Sequence, residues 1–261
     1  TERHNIRRLS FMADPRACVW GTSKPILSAT AIRRQFEGDS PVRNSVVVEP
    51  WYERVADVSV KLDVHADRVE EVGLTRFWTA GAGAYRGAHV GAWTQGLSSE
   101  VARAVHGGVR GGVMSGVLRQ AGAFVGDALR ARGYRGPAGV DAMVVRTEQG
   151  LRVVPILEVN PRYTMGRIAL ALRQQCAGSG GWLFVTPKQV RKAGYADVSA
   201  FRKAAEAVPV EVRGSGLRSG VVCTTDPEAA EHVLTLLCVG ESLGDAIALW
   251  QGLGMSWPES T

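Results

Sequence analysis

No stretch of this chain reaches the roughly 18–20 apolar residues needed to cross a bilayer. The opening residues, TERHNIRRLS, lack the apolar core of a signal peptide. Membrane insertion is therefore not expected, and a cytoplasmic location is. The chain also lacks a starting Met, so it reads as processed or as a fragment. Cysteine is sparse: Cys18, Cys176, Cys223 and Cys238 form no CxxC pair, and their spacings match no zinc template. They read as reduced, mostly buried thiols. Lysine is scarcer still, since 26 of the 31 basic residues are Arg. The net charge of +6 is spread along the chain rather than gathered on one stripe, which speaks against a nucleic-acid surface. The excess favours small anions such as phosphates. The histidines show no HExxH spacing, and no Gly-Lys-Ser/Thr follows the glycine pairs at 107–112. Ser115 and Ser215 sit among glycines without the strand-to-turn setting of a nucleophile elbow.

What is present is a set of periodic segments typical of a mixed α/β chain. Residues 22–38 read as a helix, with Thr22 or Ser23 as cap, Pro25 in the first turn and Gly38 at the end. Val46–Glu49 is a short apolar strand, interrupted by Pro50. From Asp57 to Val64 the pattern alternates, with Val58, Val60, Leu62 and Val64 on one face and Asp57, Ser59, Lys61 and Asp63 on the other. A further strand follows over 68–75. Residues 79–96 suit an irregular loop or a bulged strand. Residues 98–133 are helical in character, broken by glycine pairs. Two apolar strands at 139–160 turn about TEQG, and a helix follows from Thr164 to about Ala177. Beyond CAGSGG, strands are expected near 182–185, 209–213 and 219–225. Helices are expected at 200–207, from Asp226-Pro227 onward, and at 242–252.

The hairpin carries the chemistry. Side chains alternate along a strand, so Glu158 and Asn160 share a face. A two-residue turn puts Asp141 opposite Ile156 and diagonal to Glu158; a four-residue turn puts it directly opposite Glu158. Both registers gather the three groups on one face, whereas a one-residue slip separates them. Facing carboxylates repel in a bare hairpin. A hard divalent cation reverses that sign, and carboxylate and amide oxygens are the ligands Mg2+ prefers. Arg162, two residues on, can reach a phosphate or carboxylate.

The residues GVDAMVV and LRVVPILEVNPRYTMG resemble the C-terminal metal-binding hairpin of the ATP-grasp superfamily, mostly ATP-dependent carboxylate–amine or carboxylate–thiol ligases. The resemblance implies that Asp141, Glu158 and Asn160 hold Mg2+ against the phosphates of ATP. It implies that Arg162 contacts the transferred phosphate or the acyl substrate. VVVEPWYERVADVSV resembles the hinge strand of the same family. That assigns Glu49, Pro50, Trp51 and Tyr52 to the adenine and Asp57 to the ribose. Arg76 and Arg86 fall where relatives often place a base against the phosphates. One departure is large: the family's earlier lobe has a Lys and a Gly-rich loop, and residues 1–45 offer only Lys24. Where some relatives carry an Arg before the first acid, this chain has Gly139, with Arg135 nearby.

The expected fold is α/β (α+β) of ATP-grasp type, an antiparallel sheet with packed helices. Residues 1–44 would be a connector or remnant of the small lobe, 45–177 the nucleotide and metal core, and 178–261 an appended α/β region. The expected activity is ATP-dependent ligation of a small-molecule carboxylate to an amine or thiol through an acyl phosphate. A non-catalytic module and an ATP-grasp-type kinase are the alternatives. A homodimer, or association with a preceding region, is left open.

Overall fold

The computed structural model describes residues 7–10, 46–49, 52–80, 84–106, 113–226 and 233–258. Two units separate, one of residues 1–53 and one of residues 54–261. In the first, strands β1 (Arg7–Ser10) and β2 (Val46–Glu49) pair in parallel. The helix expected over 22–38 lies outside the described residues.

The second unit is built on a nine-stranded sheet. Its strands are β3 (Glu53–Val64), β4 (Val69–Thr79), β5 (Tyr85–Val90), β6 (Gly136–Thr147), β7 (Gly150–Asn160), β8 (Ser179–Val185), β9 (Glu211–Arg213), β10 (Gly216–Cys223) and β11 (Leu234–Gly240). Their order across the sheet is β7-β6-β3-β4-β5-β8-β11-β10-β9. Pairing is antiparallel from β3 through β4, β5, β8, β11 and β10 to β9, and within the β6–β7 hairpin. The expected boundary near residue 177 does not divide this sheet, because β8 pairs with β5 on one side and β11 on the other.

Six helices cover the sheet among the described residues: α1 (Ser99–His106), α2 (Val113–Ala131), α3 (Met165–Gln174), α4 (Pro187–Lys192), α5 (Val198–Glu206) and α6 (Leu243–Gly252). Capping boxes start α4 at Thr186 and α6 at Ser242, and Asp197 caps α5. On one face, Val58, Val60, Leu62 and Val64 of β3 pack with Leu118 and Val125 of α2 and Val140 and Ala142 of β6. The same face continues through Trp78, Leu183 and Leu236 into a core with Val190, Phe201, Ala246 and Trp250 of α4–α6. The other face is covered by α3 where Ala169 meets Ala88, Val90, Trp182 and Val239. No helix among the described residues is long and apolar enough to cross a membrane.

Leu234–Gly240 is a strand with no counterpart in the sequence reading, all seven of its residues buried; the helix expected from Asp226-Pro227 falls on residues outside those described. A strand buried on both faces shows no alternation, so it is not separable from a helix by period. The polar side of β3 is buried as well, since every residue from Ala56 to Leu62 is buried.

Candidate active site

The turn of the β6–β7 hairpin has two residues, with Thr147 opposite Gly150. Such a turn alone would set Asp141 opposite Ile156. The strands instead pair Met143 with Val154 and then Asp141 with Glu158, two steps on β6 against four on β7. The irregularity spans Pro155, whose missing N–H cannot join the ladder. Two extra residues keep the side-chain parity, so Asp141 stands directly opposite Glu158 on one face.

Hydrogen bonds tie this face together. Asn160 donates from Nδ2 to Asp141 Oδ2 at 3.1 Å, and Arg162 donates from Nη2 to Asn160 Oδ1 at 2.8 Å. Ser59 Oγ donates to Asp141 Oδ1 at 2.6 Å from the neighbouring strand β3. The Glu158 side chain is exposed. Thus Asp141, Asn160 and Arg162 are joined, and Glu158 flanks them.

One member of this site was not expected from the sequence. Lys61 is 3 % exposed on β3. Its Nζ donates to Ser59 Oγ at 2.6 Å and lies 3.7 Å from Asp141 Oδ1. Burial pushes its pKa down to about 8, against the opposing pull of Asp141. Glycines make the room: a Cβ on Gly139 would lie 3.0 Å from Lys61 Nζ, and one on Gly166 would lie 2.2 Å from Lys61 Cε. Gly166→Ala is therefore expected to cost about 1–3 kcal/mol by overpacking, read from urea unfolding, although alanine favours a helix. A neutral or stabilising result would mean that Lys61 has space to move.

Asp57 lies further along the same face. It is 6 % exposed, and its Oδ2 accepts from Arg54 at 3.0 Å and from Thr79 at 2.8 Å. Burial raises its pKa, with Arg54 opposing. Both of those partners would have to be shared or displaced before a ribose could use that oxygen. Asp63 is paired with Arg167 of α3 at 2.6 Å. Beside the acids, Tyr85 stacks on Phe77 and meets the edge of Phe184. Its hydroxyl is buried with no hydrogen-bond partner, and burial, then Asp141, raises its pKa.

Pro50 and Trp51 lie outside the described residues, Tyr52 is exposed, and Glu49 ends β2 in the other unit. Arg76 is opposite Val58 and so faces away from Asp57 and Lys61. It is 2 % exposed and donates from Nη2 to the Gln95 carbonyl at 2.6 Å.

The donor types suit a hard divalent ion. The carboxylates of Asp141 and Glu158 face each other, and Asn160 adds an amide oxygen. Asn160 presents its nitrogen to Asp141, so ligating an ion would require the amide to turn and release Arg162. Among the described residues no group of three His, Cys, Asp or Glu is placed to hold a metal, so the set is poor in acids.

No family model and no curated protein matches the chain. Similar solved structures include an N5-carboxyaminoimidazole ribonucleotide synthetase in complex with ADP, at 12 % identity and TM-score 0.45 over 88 % of this chain and 56 % of that one. N5-carboxyaminoimidazole synthase from Aspergillus clavatus, with ADP and 5-aminoimidazole ribonucleotide, is 10 % identical at TM-score 0.42 over 78 % and 51 %. Biotin carboxylase from Campylobacter jejuni, with an ATP analogue, is 12 % identical at TM-score 0.40 over 78 % and 46 %. The chain spans about half the length of these structures.

Proposed function

We propose that this chain carries the metal- and phosphate-binding half of an ATP-dependent ligase of ATP-grasp type. The observation that carries the reading is the β6–β7 face, where Asp141 stands opposite Glu158 and is linked through Asn160 to Arg162 on a mainly apolar hairpin.

In this reading Asp141, Glu158 and a turned Asn160 hold Mg2+, which supplies charge neutralisation at the phosphates. Arg162, released from Asn160, donates to the transferred phosphate or the acyl substrate. A substrate carboxylate oxygen attacks the γ-phosphorus and ADP leaves. An amine or thiol then attacks the acyl carbon and inorganic phosphate leaves. No protein nucleophile is needed, so the work of the chain is positioning and electrostatics. Ser59 and Asn160 aim the Asp141 carboxylate, one at each oxygen.

The test is nucleotide binding by the chain itself. MgADP is expected to raise the midpoint of thermal unfolding, and ADP with excess chelator is expected to have no effect. Equal shifts with and without Mg2+, or none, would remove the reading. Release of ADP that depends on an added amine separates a ligase from a kinase.

A further inference from the structure

We propose that Lys61 is a built-in counter-cation that leaves the hairpin face electrically balanced, so that the site takes up a divalent ion with a polyphosphate and binds the free ion poorly. The inference rests on the nucleotide reading above and concerns how that site selects its charge.

Three of the acids on this face have a base beside them. Asp57 pairs with Arg54 at 3.0 Å and Asp63 with Arg167 at 2.6 Å. Asp141 has Lys61 at 3.7 Å. Glu158 stands across the ladder from Asp141, and Arg162 donates to Asn160, which donates to Asp141. With Arg162 counted, these four acids are matched in number by four bases before any ligand arrives. A bare dication must then enter a site with no net negative charge, offered two carboxylates, one of them already partnered. Free divalent ions are usually held by richer acid sets or complete their shell with substrate phosphates.

Lys61 has nowhere to retreat. Ser59 Oγ holds its ammonium at 2.6 Å, and its stem is enclosed by Gly139 of β6 and by Gly166 at the start of α3. Its charge stays next to Asp141 when the ion binds. An ion that brings two or three phosphates arrives with net negative charge, which this balanced face and the freed Arg162 accept.

Mn2+ is the probe, with the whole chain at pH 7 and binding read by water-proton relaxation. Wild type is expected to bind Mn2+ with ADP at least tenfold more tightly than Mn2+ alone. Lys61→Met, shown to be folded by cooperative unfolding, is expected to bind free Mn2+ at least tenfold more tightly than wild type. A tenfold change is about 1.4 kcal/mol, well below what a unit charge contributes at about 4 Å in a partly screened site. Lys61→Arg, which keeps the charge, should keep the wild-type preference. If wild type binds Mn2+ with ADP but binds the free ion equally well, the role of Lys61 is wrong and the nucleotide reading stands. The same holds if folded Lys61→Met leaves free-ion affinity unchanged. If wild type binds neither form, the nucleotide reading fails and this inference fails with it. Should Lys61→Met not fold, the wild-type comparison alone decides.

Discussion

Replacing Asp141 with Ala is expected to lower the unfolding free energy by about 3 kcal/mol, the low end of the range for removing one partner of a buried ion pair. The low end applies because the Asp141 side chain is 22 % exposed while that of Lys61 is 4 % exposed. The loss comes mainly from what stays behind: a buried ammonium whose remaining partner is the Ser59 hydroxyl. Asn160 also loses the acceptor for its Nδ2. Removing both ends of a pair avoids the unpaired charge, so Asp141→Ala combined with Lys61→Met should recover most of the loss. The coupling energy of this double-mutant cycle is expected to be about 1–3 kcal/mol. Urea midpoints of the four proteins decide it. Additive losses would mean that the 3.7 Å approach carries no energetic coupling. MgADP stabilisation should vanish in both variants that lack Asp141, whatever their stability.

Much of the fold is written in periodicity, and the misreadings occur where periodicity has no meaning. The alternation of Val58, Val60, Leu62 and Val64 located β3, because one face of that strand meets α2. The glycine pairs at 107–112 lie outside the described residues, which resume with α2 at Val113. Leu234–Gly240 went unassigned because it lies in mid-sheet between β8 and β10, where both faces are dry and hydrophobicity cannot alternate. The appended region was likewise a matter of local composition. CAGSGG looks like a linker, yet the chain enters β8 and completes the same sheet.

At the site, the acids were legible and their counter-charge was not. Asp141, Glu158 and Asn160 fall on one face by parity alone, and parity survives both possible turns. The direct opposition of Asp141 and Glu158 needed the irregularity around Pro155, for which a proline in mid-strand was the only local signal. Lys61 was grouped with Asp57, Ser59 and Asp63 on what a single strand presents as a wetted side. Three segments far apart in sequence bury it: β6 with Gly139, the start of α3 with Gly166, and β4 with Thr75. No window of the sequence contains that enclosure. The small residues at 139 and 166 acquire meaning only once the strands are in place.

The same enclosure gives a pH signature that belongs to Lys61 alone. Its pKa is about 8 in the folded chain against 10.5 when unconstrained, chiefly because burial disfavours the charged form. Below pH 8 both states bind the proton, and folding carries the full cost of burying the charge. Between pH 8 and 10.5 the folded chain has released a proton that the unfolded chain still binds. Stability from this group therefore rises with pH across that window. The rise is about 3 kcal/mol at most, from a shift of this size. Other groups mask it in wild type, since the thiols of Cys176 and Cys238 are pushed up to about 11 and about 12 by burial and oppose it above pH 9. The comparison with Lys61→Met cancels them, because both proteins share those thiols. The unfolding free energy of wild type minus that of Lys61→Met should grow by up to about 3 kcal/mol between pH 7 and pH 10.5, measured by urea unfolding at both values. A difference that stays level would mean that water reaches the ammonium, and that Lys61 is neither enclosed nor a fixed charge behind Asp141.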